Sequence, residues 1–140
     1  MEKYKEDFLL LLEAGFIAIN QADEDSAIKL FKAAELLNPT STFPKIGYGY
    51  LHLHKLELQK SIKCFQEVVK KEPENEMAQT LLGIALSMTP NQLFEGEKLL
   101  NTTLKSKDKL IKTLSNTALD FVDNFIKKSP SPAHVQKSKK

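Results

Sequence analysis

The chain contains no arginine. All 20 of its basic side chains are lysines, set against 18 acids. Arginine is the usual source of bidentate contacts to phosphate and guanine, so specific nucleic-acid recognition is not expected, although lysine can still hold a phosphate backbone. The basic charge is also uneven. Residues 128–140 hold four lysines and no acid, which leaves 16 lysines against 18 acids, about −2, in the rest. A basic body gripping DNA is therefore not supported. Cysteine is almost absent. Cys64 stands alone, which excludes an internal disulfide. No apolar run is long enough to span a bilayer. The stretch Phe8–Leu12 follows Glu6 and Asp7 and precedes Glu13, the wrong flanks for a secretory signal. A cytoplasmic protein without membrane insertion is expected.

Catalytic and metal-binding patterns are equally sparse. His52 and His54 are two residues apart and point about 200° apart on a helix, while His134 lies in the tail. No cysteine pair or acidic cluster joins them, so no metal site is expected. Cys64 sits beside Phe65 with no histidine at a readable spacing, and reads as a small buried hydrophobe. Asp23-Glu24-Asp25 reads as a solvated cap at a helix start, where the dipole favours acids. Gly47 and Gly49 flank Tyr48 inside a helical pattern and form no phosphate loop. Neither an enzyme nor a cofactor is expected.

What is present is a repeat. At 140 residues and 41% apolar content the chain suits one domain. Slid against itself by 34 residues, it matches Gly15 to Gly49, Ala27 to Ser61, Phe31 to Phe65, Ala34 to Val68 and Pro39 to Pro73. Gly83 continues the phase. After one extra residue in the Met88–Leu93 turn, Gly96 and Leu100 take the Ala and Phe places. A glycine inside a helix costs about 1 kcal/mol, so Gly15, Gly49 and Gly83 imply close helix crossings. Asn38-Pro39 and Glu72-Pro73 end helices, because the residue before proline avoids the α region.

The expected layout is seven helices, at about 3–20, 24–37, 42–55, 58–71, 75–88, 91–105 and 108–127. The seventh has one apolar face, formed by Leu110, Ile111, Leu114, Ala118, Phe121, Val122, Phe125 and Ile126. It would cover the open end of a repeat array, starting from Asp108 as N-cap. Residues 128–140, with Pro130, Pro132 and several Ser and Lys, are expected to be a disordered basic tail.

This pattern resembles the tetratricopeptide repeat. Repeat one supplies Leu11, Ala14-Gly15, Ala18, Ala27, Phe31, Ala34 and Pro39. Repeat two supplies Tyr48-Gly49, His52, Ser61, Phe65, Val68 and Pro73, with Lys45 where the family usually has Trp. Repeat three supplies Leu82-Gly83, Leu86, Gly96, Leu100 and Thr103, and lacks the Pro. The resemblance implies an all-α fold with three helix-turn-helix repeats, about 8–41, 42–75 and 76–107, in a right-handed superhelix closed by a capping helix.

It also implies that the first helix of each repeat lines a concave surface. The family's phase places Leu9, Leu12, Phe16, Ile19 and Asn20 there in repeat one, and Phe43, Ile46, Tyr50, Leu53 and His54 in repeat two. Repeat three contributes Met77, Thr80, Ile84, Ser87 and Met88. Any one of these could be ordinary core. As a set they exceed what the helix pairs need, and surplus apolar stripes mark partner sites. Where some members hold a terminal carboxylate with Lys, Arg and Asn, this chain has Leu12, Phe16, Ile46 and Tyr50. A carboxylate there would lose water and gain no cation, so an amphipathic helix is the better ligand.

The length, the strings Leu11-Leu12-Glu13-Ala14-Gly15-Phe16-Ile17-Ala18 and Leu36-Leu37-Asn38-Pro39, and the closing helix resemble the small chaperones of bacterial type III secretion, most nearly the needle-subunit chaperone. The resemblance implies a cytoplasmic chaperone that covers the amphipathic helix of a needle subunit and blocks early polymerisation. A second small helical co-chaperone would complete a heterotrimer. Two alternatives stand beside it: the related chaperone of translocator proteins, with an extended ligand in discrete pockets, and a scaffold that self-associates through the same face.

Overall fold

The computed structural model describes residues 2–127; the expected disordered tail at 128–140 lies outside the described residues. The chain is all-helical. Its helices are α1 (Glu2–Asn20), α2 (Glu24–Leu37), α3 (Phe43–His54), α4 (Leu58–Lys71), α5 (Glu76–Ser87), α6 (Leu93–Thr103) and α7 (Lys109–Phe121), the last widening into a π-turn at Val122–Ile126. Every expected helix is present, with ends within two residues of expectation except at the last, where the regular α geometry stops at Phe121. No described helix is long and apolar enough to cross a membrane.

Helix starts follow local chemistry. Asp23 accepts the Ser26 N–H at 3.2 Å, Asn75 accepts that of Ala78 at 3.0 Å, and Asp108 accepts that of Leu110 at 2.9 Å. Each satisfies a backbone donor that the first helical turn leaves free. Pro44 occupies the first turn of α3, where its missing N–H costs nothing.

The turns repeat as well. Among the described residues, Ala22, Leu56 and Asn91 are the non-glycine positions with positive φ, at 60°, 60° and 68°. They fall 34 and then 35 residues apart, the same single-residue slip seen in the sequence match. At the first two, the turn closes identically. Asp23 N–H reaches Ala18 O at 2.8 Å and Glu57 N–H reaches His52 O at 2.8 Å, while Ala22 and Leu56 donate back three residues. This is the six-to-one closure that left-handed residues make at helix C-termini.

Short turns pack α1 against α2, α3 against α4 and α5 against α6 as hairpins. One core lies in α1, α2 and the adjoining part of α3, around Phe31, Ile19, Leu12, Ala27 and Ala34. A second lies between α3, α4 and α5, around Phe65, Ile46, Val68, Leu82 and Ala85. Phe16 and Tyr50 pack against both. A β-carbon at Gly15 or Gly47 would run into the Phe31 ring, and one at Gly49 into the Phe65 ring. The expected role of Gly15 and Gly49 in close crossings is thus explained by two large rings. Gly47 does the same work for Phe31 from α3, a contact between hairpins. At the far end, Thr103 and Ser115 hydroxyls lie 2.6 Å apart in a buried hydrogen bond that ties α7 to α6.

Candidate partner-binding face

The odd-numbered helices touch in sequence: α1 with α3, α3 with α5, α5 with α7. The even-numbered helices make no comparable contact with one another. The odd layer therefore presents a continuous surface, with a cleft at each end.

The first cleft, about 680 Å³, lies where α1 begins and α2 runs into α3. Its apolar wall is Tyr4, Phe8, Leu9, Leu37 and Phe43, and its charged residue is Lys5. Leu9 and Phe43 are 46% and 48% exposed, a high value for such side chains. The second cleft, about 240 Å³, lies between α5 and α7 and is lined by Ile84, Met88, Leu114, Ala118 and Phe121, with no charged residue. Between the clefts sit Phe16, Tyr50, Leu53 and Met77, all partly buried. The Phe16 and Tyr50 rings meet at 5.5 Å. Tyr50 donates its hydroxyl to Asn20 Oδ1 at 3.0 Å, and its ring lies 6.3 Å from the exposed His54 ring. Of the expected apolar positions on this layer, Leu9 and Phe43 are exposed, while Phe16, Tyr50, Leu53, Met77, Ile84 and Met88 are partly buried, most of them packed against the cores.

Three others are corrected. Leu12, Ile19 and Ile46 are 4%, 1% and 1% exposed, and belong to the cores rather than to an open surface. The reason is geometric. Leu12 and Ile19, seven residues apart, share the side of α1 that carries Phe8 and Gly15 into the first core. Ile46 is used up in the second core with Ala78 and Leu82. Thr80 and Ser87 are also buried. Their hydroxyls donate to Glu76 O and Gly83 O of their own helix, both at 2.7 Å.

The sequence reading missed the contribution of α7. Leu114, Ala118 and Phe121 recur at four- and three-residue steps, and this stripe was taken wholly as a cover for the array end. Instead it forms one wall of a cleft. Phe121 stacks on Phe125 at 5.1 Å, and Phe125 remains 59% exposed. An amphipathic pattern says that a face avoids water; it does not say how much of the face its own chain covers.

Cys64 is half-buried, and burial pushes its thiol above the ordinary range. His52 Nδ1 lies 2.8 Å from Glu57 Oε1, at the α3–α4 turn and away from both clefts. Among the described residues no group of three His, Cys, Asp or Glu could hold a metal. The odd face therefore offers apolar area, a few hydroxyl and amide groups at its edge, and very little charge. The chain matches no protein-family model, and neither a curated protein nor a solved structure shows significant similarity to it.

Proposed function

We propose that the chain is a tetratricopeptide-type export chaperone of a bacterial type III secretion system, which holds the amphipathic helix of a needle-type subunit on the odd-helix face. Four observations support the repeat reading: the paired hairpins, the 34- and 35-residue spacing of the left-handed turns, the glycines at the crossings, and next-but-one helix contacts that are made by the odd helices. On this reading the array curves as tetratricopeptide arrays do, with α1, α3, α5 and α7 on its inside. The observation that carries the functional reading is the accessible, nearly uncharged stripe from Leu9 and Phe43 to Met88 and Phe121. Each large anchor buried there would contribute on the order of 1.5–3 kcal/mol, before the ordering cost of the ligand. Covering the apolar face of the subunit helix keeps the subunit monomeric in the cytoplasm until export. A second small helical protein completes the complex.

Two discrete clefts also suit an extended segment seated in pockets, the mode of the related translocator chaperones. Co-purification from the native cytoplasm separates the two. A short helical subunit supports the first reading, and a large membrane-inserting one supports the second. The face itself is tested with Leu9→Asp, Phe43→Asp and Met88→Asp, whose side chains the fold uses least. Binding of the co-expressed subunit should be lost in each while far-UV circular dichroism is unchanged. Retention of binding in all three would overturn the assignment of this face. Phe16→Asp is a poorer probe, because Phe16 packs edge-on against Phe31 at 5.4 Å and touches both cores.

A further inference from the structure

Helix α1 carries one acid in the middle of its apolar surface. Residues three and four apart on a helix are neighbours, and the neighbours of Glu13 on α1 are Leu9, Leu10, Phe16 and Ile17. Leu9 and Phe16 belong to the odd-helix face. Glu13 stands between them along the helix, turned to the side away from α3. Its side chain is exposed and has no ion-pair partner among the described residues. By contrast Glu24, Glu57, Glu67, Glu97 and Asp123 each meet a lysine of the same chain. Lys5 is the nearest lysine to Glu13 along α1. It lies eight residues away, about 12 Å along the axis, and on the other side of Leu9, in the first cleft beside Phe43.

Glu6 extends the pattern. It stands close to two turns before Glu13 on the same side of Leu9, and it too is exposed and unpaired among the described residues. The cleft at the far end, between α5 and α7, has no charged lining. The outer α1 edge of the odd-helix face is therefore acidic, and the opposite end is neutral.

A carboxylate among apolar side chains is stable while water reaches it. A partner seated on Leu9 and Phe16 removes part of that water. The carboxylate then loses solvation, and only a cation brought by the partner offsets the loss. We infer that the helix held on this face carries lysine or arginine beside its apolar seam, placed to meet Glu13, with Glu6 open to a second base. The inference rests on the odd-helix face being the binding face and names the partner's chemistry there. A helix whose seam is flanked by acids would set like charges together at this edge and is rejected.

Two synthetic amphipathic peptides of about 20 residues test this. They share one leucine seam, flanked by lysines in the first and by glutamates in the second. Binding to the full chain is read from the anisotropy of a dye on the peptide. The chain's net charge of +2 favours the acidic peptide at long range, so a preference for the basic one must arise locally. At about 50 mM salt the lysine peptide should bind at least about tenfold tighter, and the gap should close towards about 1 M salt. Glu13→Gln should remove most of the preference and Glu13→Lys should reverse it. Glu95→Lys, the same change of charge on the even helix α6, should leave it intact. Far-UV circular dichroism should be the same in all of them. Equal affinity for the two peptides would overturn the inference, as would tighter binding of the acidic one or a lysine preference that survives Glu13→Lys. If both peptides bind equally and Leu9→Asp abolishes both, the odd-helix face stands and its charge assignment alone fails. If neither binds, the face does not hold a helix and both readings fall.

Discussion

Helices α5 and α6 cross at two glycines, and alanine substitution should separate the two sides of that crossing sharply. A β-carbon on Gly96 would lie 2.5 Å from the Ser87 backbone nitrogen and 2.7 Å from the Gly83 carbonyl oxygen. Neither can move unless α5 itself moves. A β-carbon on Gly83 would instead meet the Leu100 side chain at 3.0 and 3.1 Å and the Gly96 carbonyl at 3.2 Å. Those neighbours need yield only a few tenths of an ångström. Both substitutions gain about 1 kcal/mol of helix propensity. Overpacking a tight contact costs about 1–3 kcal/mol, with backbone against backbone at the upper end. Gly96→Ala should therefore be destabilised by about 2 kcal/mol net, while Gly83→Ala should stay within about 1 kcal/mol of wild type. In urea, with a slope of about 2 kcal/mol per molar, the Gly96→Ala midpoint should fall by about 1 M. A Gly96→Ala protein as stable as Gly83→Ala, measured with equal slopes, would refute the claim that backbone contact sets this crossing.

Two further outcomes are expected. The Ser61 hydroxyl is fully buried and has no hydrogen-bond partner, while the matching position in the first hairpin is the equally buried Ala27. Ser61→Ala should therefore raise stability by about 1 kcal/mol, readable as a higher urea midpoint; a loss of stability would mean that the hydroxyl has a partner. Glu72 accepts hydrogen bonds from Asn75 Nδ2 and Thr42 Oγ1, both at 2.9 Å, which join the end of α4 to the starts of α5 and α3. The Asn75 bond first, and then the Thr42 bond, hold its carboxyl below its ordinary value of 4.5. Because the folded value is lowered, the contribution is complete above that ordinary value and disappears as pH falls through the lowered one. The stability advantage of wild type over Glu72→Gln should be constant from about pH 8 to about pH 6 and shrink as pH falls below the ordinary value of 4.5; an advantage that grows on acidification would reverse the assignment.

Much of this architecture was present in the sequence because it depends on local rules. Proline after Asn38 and Glu72, acids at helix starts, and apolar spacing of three and four placed seven helices within two residues at nearly every end. The 34-residue match, with its one-residue slip, located turns whose left-handed residues the backbone repeats at the same interval. Glycines that cost helix propensity pointed to crossings, and Phe31 and Phe65 are the rings that require Gly15 and Gly49, whereas Gly83 meets the more yielding Leu100.

The exposed face depended on packing that no local rule contains. An apolar residue at a given helical phase can enter the core or face solvent, depending on how far its helix is rotated against its neighbours. The packing takes Leu12, Ile19 and Ile46 inside and leaves Leu9 and Phe43 outside. Helix α7 is legible as amphipathic, but only its placement beside α5 leaves a cleft at Phe121. The run Phe8–Leu12 puts apolar side chains on several sides of one helix. Only the fold divided those sides among core, stripe and open end, because burial is settled by which surfaces find a partner within the same chain.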